Sequence, residues 1–260
     1  MTIKDLRGIY SIWLRDVTRF RRDRSRIITS MAQPALFLFI FGNGLARGLA
    51  IDGQGGGSGL GSSYLAFIYP GIIGMSLLFT SMFSAISIVW DREFGFLKEV
   101  MVAPISRSSV AIGKAFGGSS VAIIQALFIL LLAPLVGVRL SIPVILAVIP
   151  VMFLISFSIT SMGIAIAARM QSMEGFQMIM NFLVMPLFVL SGAMFPIERL
   201  PSWLRFLTLI DPLTYGVDAL RLLMLGSGVA QFSLIFNIAV LAAFGAAMIS
   251  LAVFLFNWTD

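Results

Sequence analysis

The chain has 260 residues, 59% hydrophobic and only 12% charged, with a mean hydropathy of +1.00. A soluble domain carries about a quarter charged residues, so this chain has too little polar surface to cover a water-facing exterior, and its main solvent is lipid. Cysteine and histidine are absent, which excludes disulfides, thiolate nucleophiles, Cys/His metal sites and the usual general base near neutral pH.

The net charge of +6 is unevenly spread, with eight of the 18 Lys and Arg residues in the first 26 positions. A basic amino terminus suits nucleic acid or an anionic membrane surface. A hydrophobic span follows at once, so membrane lipid is the expected partner and nucleic acid is not. The charged region is too long for the n-region of a cleavable signal peptide, and Arg21-Arg22 precedes Asp23-Arg24 rather than an apolar stretch, unlike a twin-arginine signal. Within it, Ile3, Leu6, Ile9/Tyr10, Trp13, Val17 and Phe20 recur at spacings of three and four, while Lys4, Arg7, Ser11, Arg15, Arg19 and Arg22 fall largely elsewhere. That pattern predicts an amphipathic helix over 1–26 lying in the membrane interface. It is either a mere anchor or a surface that also contacts a partner.

Six uncharged stretches of span length follow. They are Ile27–Leu45, Tyr64–Trp90, Ala115–Val138, Leu140–Ala168, Gly175–Ile197, and one span cut from the 38 residues of Leu222–Thr259. Each meets the roughly 20 residues needed to cross the hydrocarbon as a helix. Barrel strands alternate over about ten residues, and these runs are continuous. The expected fold is therefore an all-α membrane protein with six spans over 27–257. The segment Asp52–Ser63, DGQGGGSGLGSS, has the composition of a flexible spacer.

Between the second and third spans lies DREFGFLKEVMVAPISR, Asp91 to Arg107. It mixes Phe94, Phe96, Leu97, Val100, Met101 and Val102 with charged residues, and a short amphipathic helix stopped by Pro104 fits. The helix could lie on lipid or dock into a soluble subunit. No Walker A motif occurs: Gly113-Lys114-Ala115 lacks both the hydroxyl residue after lysine and the glycine five positions before Gly113. Lys114 and Arg169 are read as snorkelling from helix ends, and Gly113-xxx-Gly117 as a spacing that permits close helix contact.

The segment 193–221 is too apolar for an ordinary loop and too interrupted for a span, with Pro196, Pro201 and Pro212 bracketing Trp203 and its neighbours. Half-helices packed against protein satisfy such a backbone best; a plain external loop with aromatic anchors is the alternative. Among uncharged intramembrane polar residues, Asn43, Gln125, Gln177, Asn181 and Asn237 suit helix–helix hydrogen bonding or substrate contact. With an intracellular amino terminus, 13 Lys and Arg fall inside and five outside. The positive-inside rule selects that orientation, with both termini cytoplasmic and the chain in the cytoplasmic membrane.

Residues 196–221, PIERLPSWLRFLTLIDPLTYGVDALR, closely resemble the signature before the last span of type-2 ABC exporter permeases, the group of the daunorubicin-resistance and nodulation lipo-oligosaccharide exporters. The most specific piece is Asp211 to Arg221, with Asp211 standing where many members have Asn. The segment Arg92–Arg107 is similar to the family's cytoplasmic loop: Gly95, Pro104 and Arg107 match, and Lys98 stands where an acidic residue is frequent. The likeness extends over the whole chain.

The resemblance implies a permease subunit that pairs with a second copy or a sister permease and docks an ABC ATPase subunit. ATP and magnesium would sit on that partner, with no cofactor, metal or catalytic residue on this chain. Arg92, Glu93, Phe94, Gly95, Leu97, Lys98, Val100 and Pro104 would form the coupling helix. Substrate, a drug, lipid or glycolipid, would move outward along the first and fifth spans past Phe37, Phe41, Asn43, Asn181 and Phe182. The external gate would hold Pro196, Trp203, Asp211, Pro212, Tyr215, Asp218 and Arg221. A nucleotide-independent secondary carrier or channel is the alternative, though such proteins mark a midplane site with charges, and none lies well inside a span here. A membrane enzyme would have little to build a site from, with no His, no Cys and no midspan carboxylate.

Overall fold

The structure, a computed structural model, describes residues 3–23, 27–28, 32–40, 59–94, 106–138, 140–197 and 200–258. Among these residues every regular element is helical. In chain order they are α1 (Ile3–Arg22), α2 (32–40), α3 (Gly59–Ser84), α4 (Ile86–Glu93), α5 (Arg107–Leu130), a 3-10 turn (Ala133–Val136), α6 (Ile142–Ala167), α7 (Met173–Leu190), α8 (Ser202–Ile210), α9 (Pro212–Leu225) and α10 (Leu234–Trp258). Among the described residues, five helices are long and apolar enough to cross a membrane: α3 continued by α4, then α5, α6, α7 and α10. The expected first span is described only at 27–28 and 32–40.

Helix boundaries follow local chemistry more closely than they follow charge. Ser106 accepts from the Ser109 amide and starts α5 eight residues before the uncharged run begins, so Lys114 lies inside the helix. Helix α3 opens at Gly59, inside the stretch read as spacer. The 38-residue uncharged stretch is divided by Gly226, whose φ of +91° suits a residue without Cβ; its first part completes α9 and the rest forms α10.

Helix α6 lies at the centre, packed against α3, α5, α9 and α10, while α1 runs along α5. The core between them includes Met82, Ile88, Met152, Ile155, Ile159, Leu220 and Leu241, all at 1% exposure or less. Helices in lipid gain little by hiding apolar groups from one another, so close packing and interhelical bonds hold them. The Tyr69 hydroxyl on the carbonyl of Ile129 (2.7 Å) and the Ser158 hydroxyl on that of Leu241 (3.0 Å) are such bonds. Helix α7 is the least embedded, showing Met178, Phe182 and Met185 outward along one face, with Phe182 83% exposed.

Successive long helices alternate in direction. The end of α4, the start of α5, the α6–α7 junction and the end of α10 meet at one pole with α1. The start of α3, the end of α7 and the α8–α9 pair meet at the other.

Candidate functional site

The α1 pole surrounds the two ends of the 95–105 loop, and each end is fastened through named side chains. On the lead-in, Asp91 Oδ2 receives Lys114 Nζ at 3.1 Å and Arg15 Nη2 at 3.3 Å. Next in sequence, Arg92 Nη1 donates to the carbonyl of Met170 at 2.8 Å, beyond the last turn of α6. Glu93 Oε2 accepts from the Met173 amide at 3.3 Å, the first residue of α7, while Ser172 Oγ caps the same helix through the Gly175 amide. A carboxylate at a helix start satisfies an orphan amide and suits the positive end of the dipole. Three consecutive charged residues thus hold four partners, Arg15, Lys114, Met170 and Met173.

On the exit side, Asp5 Oδ1 accepts from the Ser106 amide at 3.1 Å and from the Ser109 hydroxyl at 3.2 Å. Asn257 Nδ2 reaches Ser108 Oγ at 3.4 Å, bringing the end of α10 to the same place.

Helix α1 therefore docks along α5 rather than lying on lipid alone. Its buried residues are Asp5, Gly8, Ile12 and Phe20, a stripe at helical spacing that meets Ser106, Gly113 and Gly117 in parallel register. A Cβ on Gly113 would stand 3.0 Å from Ile12 Cβ, and one on Gly117 2.9 Å from Asp16 Oδ2. The Gly113-xxx-Gly117 spacing is thus the seat of α1. Trp13 Nε1 adds a bond to Ser120 Oγ at 2.9 Å. Of the stripe expected to face lipid, Ile3, Leu6 and Tyr10 are exposed and Phe20 is buried. Lys114 does not snorkel: at 5% exposure it bonds Ser87 Oγ at 2.9 Å and pairs with both Asp91 and Asp16.

Of the expected docking residues, Arg92, Glu93 and Phe94 are described, and Phe94 is exposed with Trp90 packed on it at 5.0 Å between ring centroids. Gly95, Leu97, Lys98, Val100 and Pro104 lie outside the described residues, as do Phe41 and Asn43 of the expected pathway. Phe37 meets Phe188 of α7 edge to face at 6.3 Å. Asn181 and Phe182 both sit on the outward face of α7.

At the opposite pole the predicted half-helices are present as α8 and α9, with Pro201 before the first and Pro212 at the first position of the second, where its missing N–H costs nothing. Pro196 lies in the turn that links them to α7. Trp203, Phe206 and Ile210 of α8 point outward, whereas Asp211, Tyr215, Asp218 and Arg221 are buried in protein. Thr214 and Tyr215 hydroxyls donate to the carbonyls of Thr208 and Leu209, each at 2.7 Å, and so close the α8–α9 hairpin. Asp218 accepts from the Gln231 and Phe232 amides at 2.8 and 3.0 Å and from Asn237 Nδ2 at 2.9 Å. Arg221 donates to the carbonyl of Gly192 at 3.0 Å and stacks 4.0 Å from the Phe67 ring centroid. Burial lowers the Arg221 guanidinium to about 10 despite the nearby Asp218 carboxylate. Asp211 caps α9 with Oδ1 on the Leu213 amide, and burial pushes its carboxyl up to about 8.

Asp5, Asp16 and Ser106 were not singled out by the sequence. Their signal was faint: two acids eleven residues apart on α1, on the same face as Gly8 and Ile12.

A family model of the ABC-2 type transporter matches residues 7–225. The chain belongs to this family and is a multi-pass membrane subunit of a transporter. Among its relatives, a putative transport permease ycf38 of Cyanophora paradoxa is 30% identical over 239 residues, covering 91% of this chain and 81% of the relative. Nodulation protein J of Rhizobium meliloti (strain 1021) is 25% identical over 228 residues, 86% of this chain and 84% of that protein.

Proposed function

We propose that the chain is the permease subunit of an ATP-driven exporter. It pairs with a second copy of itself, takes two ABC ATPase subunits that carry ATP and magnesium, and moves a hydrophobic or amphipathic substrate outward. The observation that carries this reading is the fastening of both ends of the 95–105 loop. A partner pushing on that loop would move α7 through Glu93, the end of α6 through Arg92, and α1 with α5 through Asp91 and Ser106. Charge-assisted bonds are short and about twice as strong as neutral ones, which suits force transmission.

The same reading takes the chain to have six spans, the five described long apolar helices and one more. The sixth crossing is assigned to the uncharged run Ile27–Leu45, of which residues 32–40 are described and helical. The excess of Lys and Arg toward the α1 pole makes that pole cytoplasmic. Both termini are then inside, in the cytoplasmic membrane. The outward face of α7, with Asn181 and Phe182, joins Phe37 as the pathway, and α8 with α9 stands over its external end.

Gentle extraction from the native membrane, followed by assay of co-purifying vanadate-sensitive ATPase, tests the proposal. A stoichiometric ATPase is expected with the native chain and is expected to be lost with Leu97→Asp, while membrane insertion persists. A chain that emerges alone under every mild condition would overturn the ATPase partnership. Retention of the ATPase by Leu97→Asp would remove the docking role of that loop.

A further inference from the structure

Helices α3 and α5, with residues 33–34 of α2, line a half-open cavity of about 190 Å³. Its apolar wall includes Met75, Phe79, Phe83 and Val121, with Phe79 and Phe83 stacked 6.4 Å apart. Two polar side chains of the wall, Ser76 and Gln125, are 2% and 1% exposed. Thr80 occupies Gln125 Oε1. Among the described residues, Gln125 Nε2 and Ser76 Oγ have no hydrogen-bond partner.

An unpaired buried polar group costs about 1–3 kcal/mol, and in lipid no bulk water relieves it. Gln125 meets α3 with one end of its carboxamide and turns the other into the cavity. Bound water needs two to four polar partners, which Gln125 Nε2 and Ser76 Oγ meet only at the lower limit, against a wall that is otherwise mainly apolar. The described lining has no Asp, Glu, Lys or Arg, so a charged occupant would be unpaired and excluded. The volume exceeds that of an apolar cavity known to hold benzene.

We propose that this cavity binds an uncharged amphiphile, with a ring or short chain against Phe79 and Phe83 and a carbonyl, ester or hydroxyl oxygen accepting from Gln125 Nε2 beside Ser76 Oγ. Bilayer lipid esters and transported molecules both offer this chemistry. The site lies between α3 and α5, away from the outward face of α7, and does not rest on the export reading.

The test is photolabelling of the full chain in phosphatidylcholine vesicles with a diazirine-bearing octanol, followed by peptide mapping. Label is expected within 75–83 and 121–125. Gln125→Leu should reduce it about fivefold, the scale of one hydrogen bond, and Ser76→Ala about twofold. Val121→Phe, which fills the cavity without replacing either polar group, should also remove it and carries the test if Gln125→Leu fails to insert. Stronger labelling in diether than in diester phosphatidylcholine would identify the lipid ester as the resident occupant. Equal labelling in the two would leave the site to other amphiphiles. Label confined to lipid-facing residues of α7 and α10, or unchanged by both Gln125→Leu and Val121→Phe, would overturn the proposal.

Discussion

The two poles of the molecule use buried charge in opposite ways. At the α1 pole, Arg15, Asp16, Asp91 and Lys114 hold one another, side chain to side chain, across three helices. At the α9 pole, Asp218 and Arg221 hold mainly backbone: two amides in the α9–α10 connection and the carbonyl of Gly192. A charge network can exchange partners while every member stays paired, because each cation has more than one carboxylate within reach. A side chain bonded to fixed backbone groups has no such alternative. The first arrangement suits a pole that must shift with a partner. The second suits a brace for short helices too small to hold their own position.

This contrast predicts unequal responses to truncation. Asp218→Ala should have the largest effect, because it leaves two buried amides and Asn237 Nδ2 without an acceptor. The expected loss is about 3–5 kcal/mol, read as thermal unfolding in mild detergent and insensitive to salt. Lys114→Met comes next at about 2 kcal/mol, since Arg15 still serves both carboxylates and the site is partly open. Unlike the first loss, it should change between low and high salt, because ion pairs near solvent are screened. Equal, salt-independent losses at both positions would erase the distinction between the poles.

The sequence made much of this legible, and the limits have physical causes. Continuous apolar runs gave the long helices, because a lipid-facing helix must be apolar for its whole crossing. Pro201 and Pro212 marked the α8–α9 break, because proline has few places in helical backbone. The docking of α1 was not readable. Periodicity found the apolar stripe of Ile3, Leu6 and Tyr10, whereas the docked face is built from Asp5, Gly8, Ile12 and Asp16, of which only Ile12 is apolar. Lys114 looked like a snorkelling residue because its partners lie 98 positions before it and 23 before it in sequence. Gln125 and Asn237 were read as helix–helix bonding residues or substrate contacts, and each does bond a neighbouring element.

The smallest effect separates the poles by pH. Asp211 is 3% exposed, and its Oδ2 has no partner. With its carboxyl raised from 3.8 to about 8 by burial, it is mostly neutral in the folded chain at neutral pH. An unfolded chain releases that proton near pH 4, so folding must take it up again. Stability from this group is therefore greatest below pH 4 and falls as pH rises toward 8. Asn has nearly the shape of the neutral acid and cannot ionise. Asp211→Asn should leave stability at pH 3 nearly unchanged and raise it at pH 9 relative to the native chain by more than about 1 kcal/mol, the worth of one pKa unit. Parallel pH profiles for the two proteins would show that Asp211 is charged and satisfied in the fold. The α9 pole would then hold an ionised carboxylate at the end of its hairpin, and its buried charges would no longer all be explained by backbone bonds.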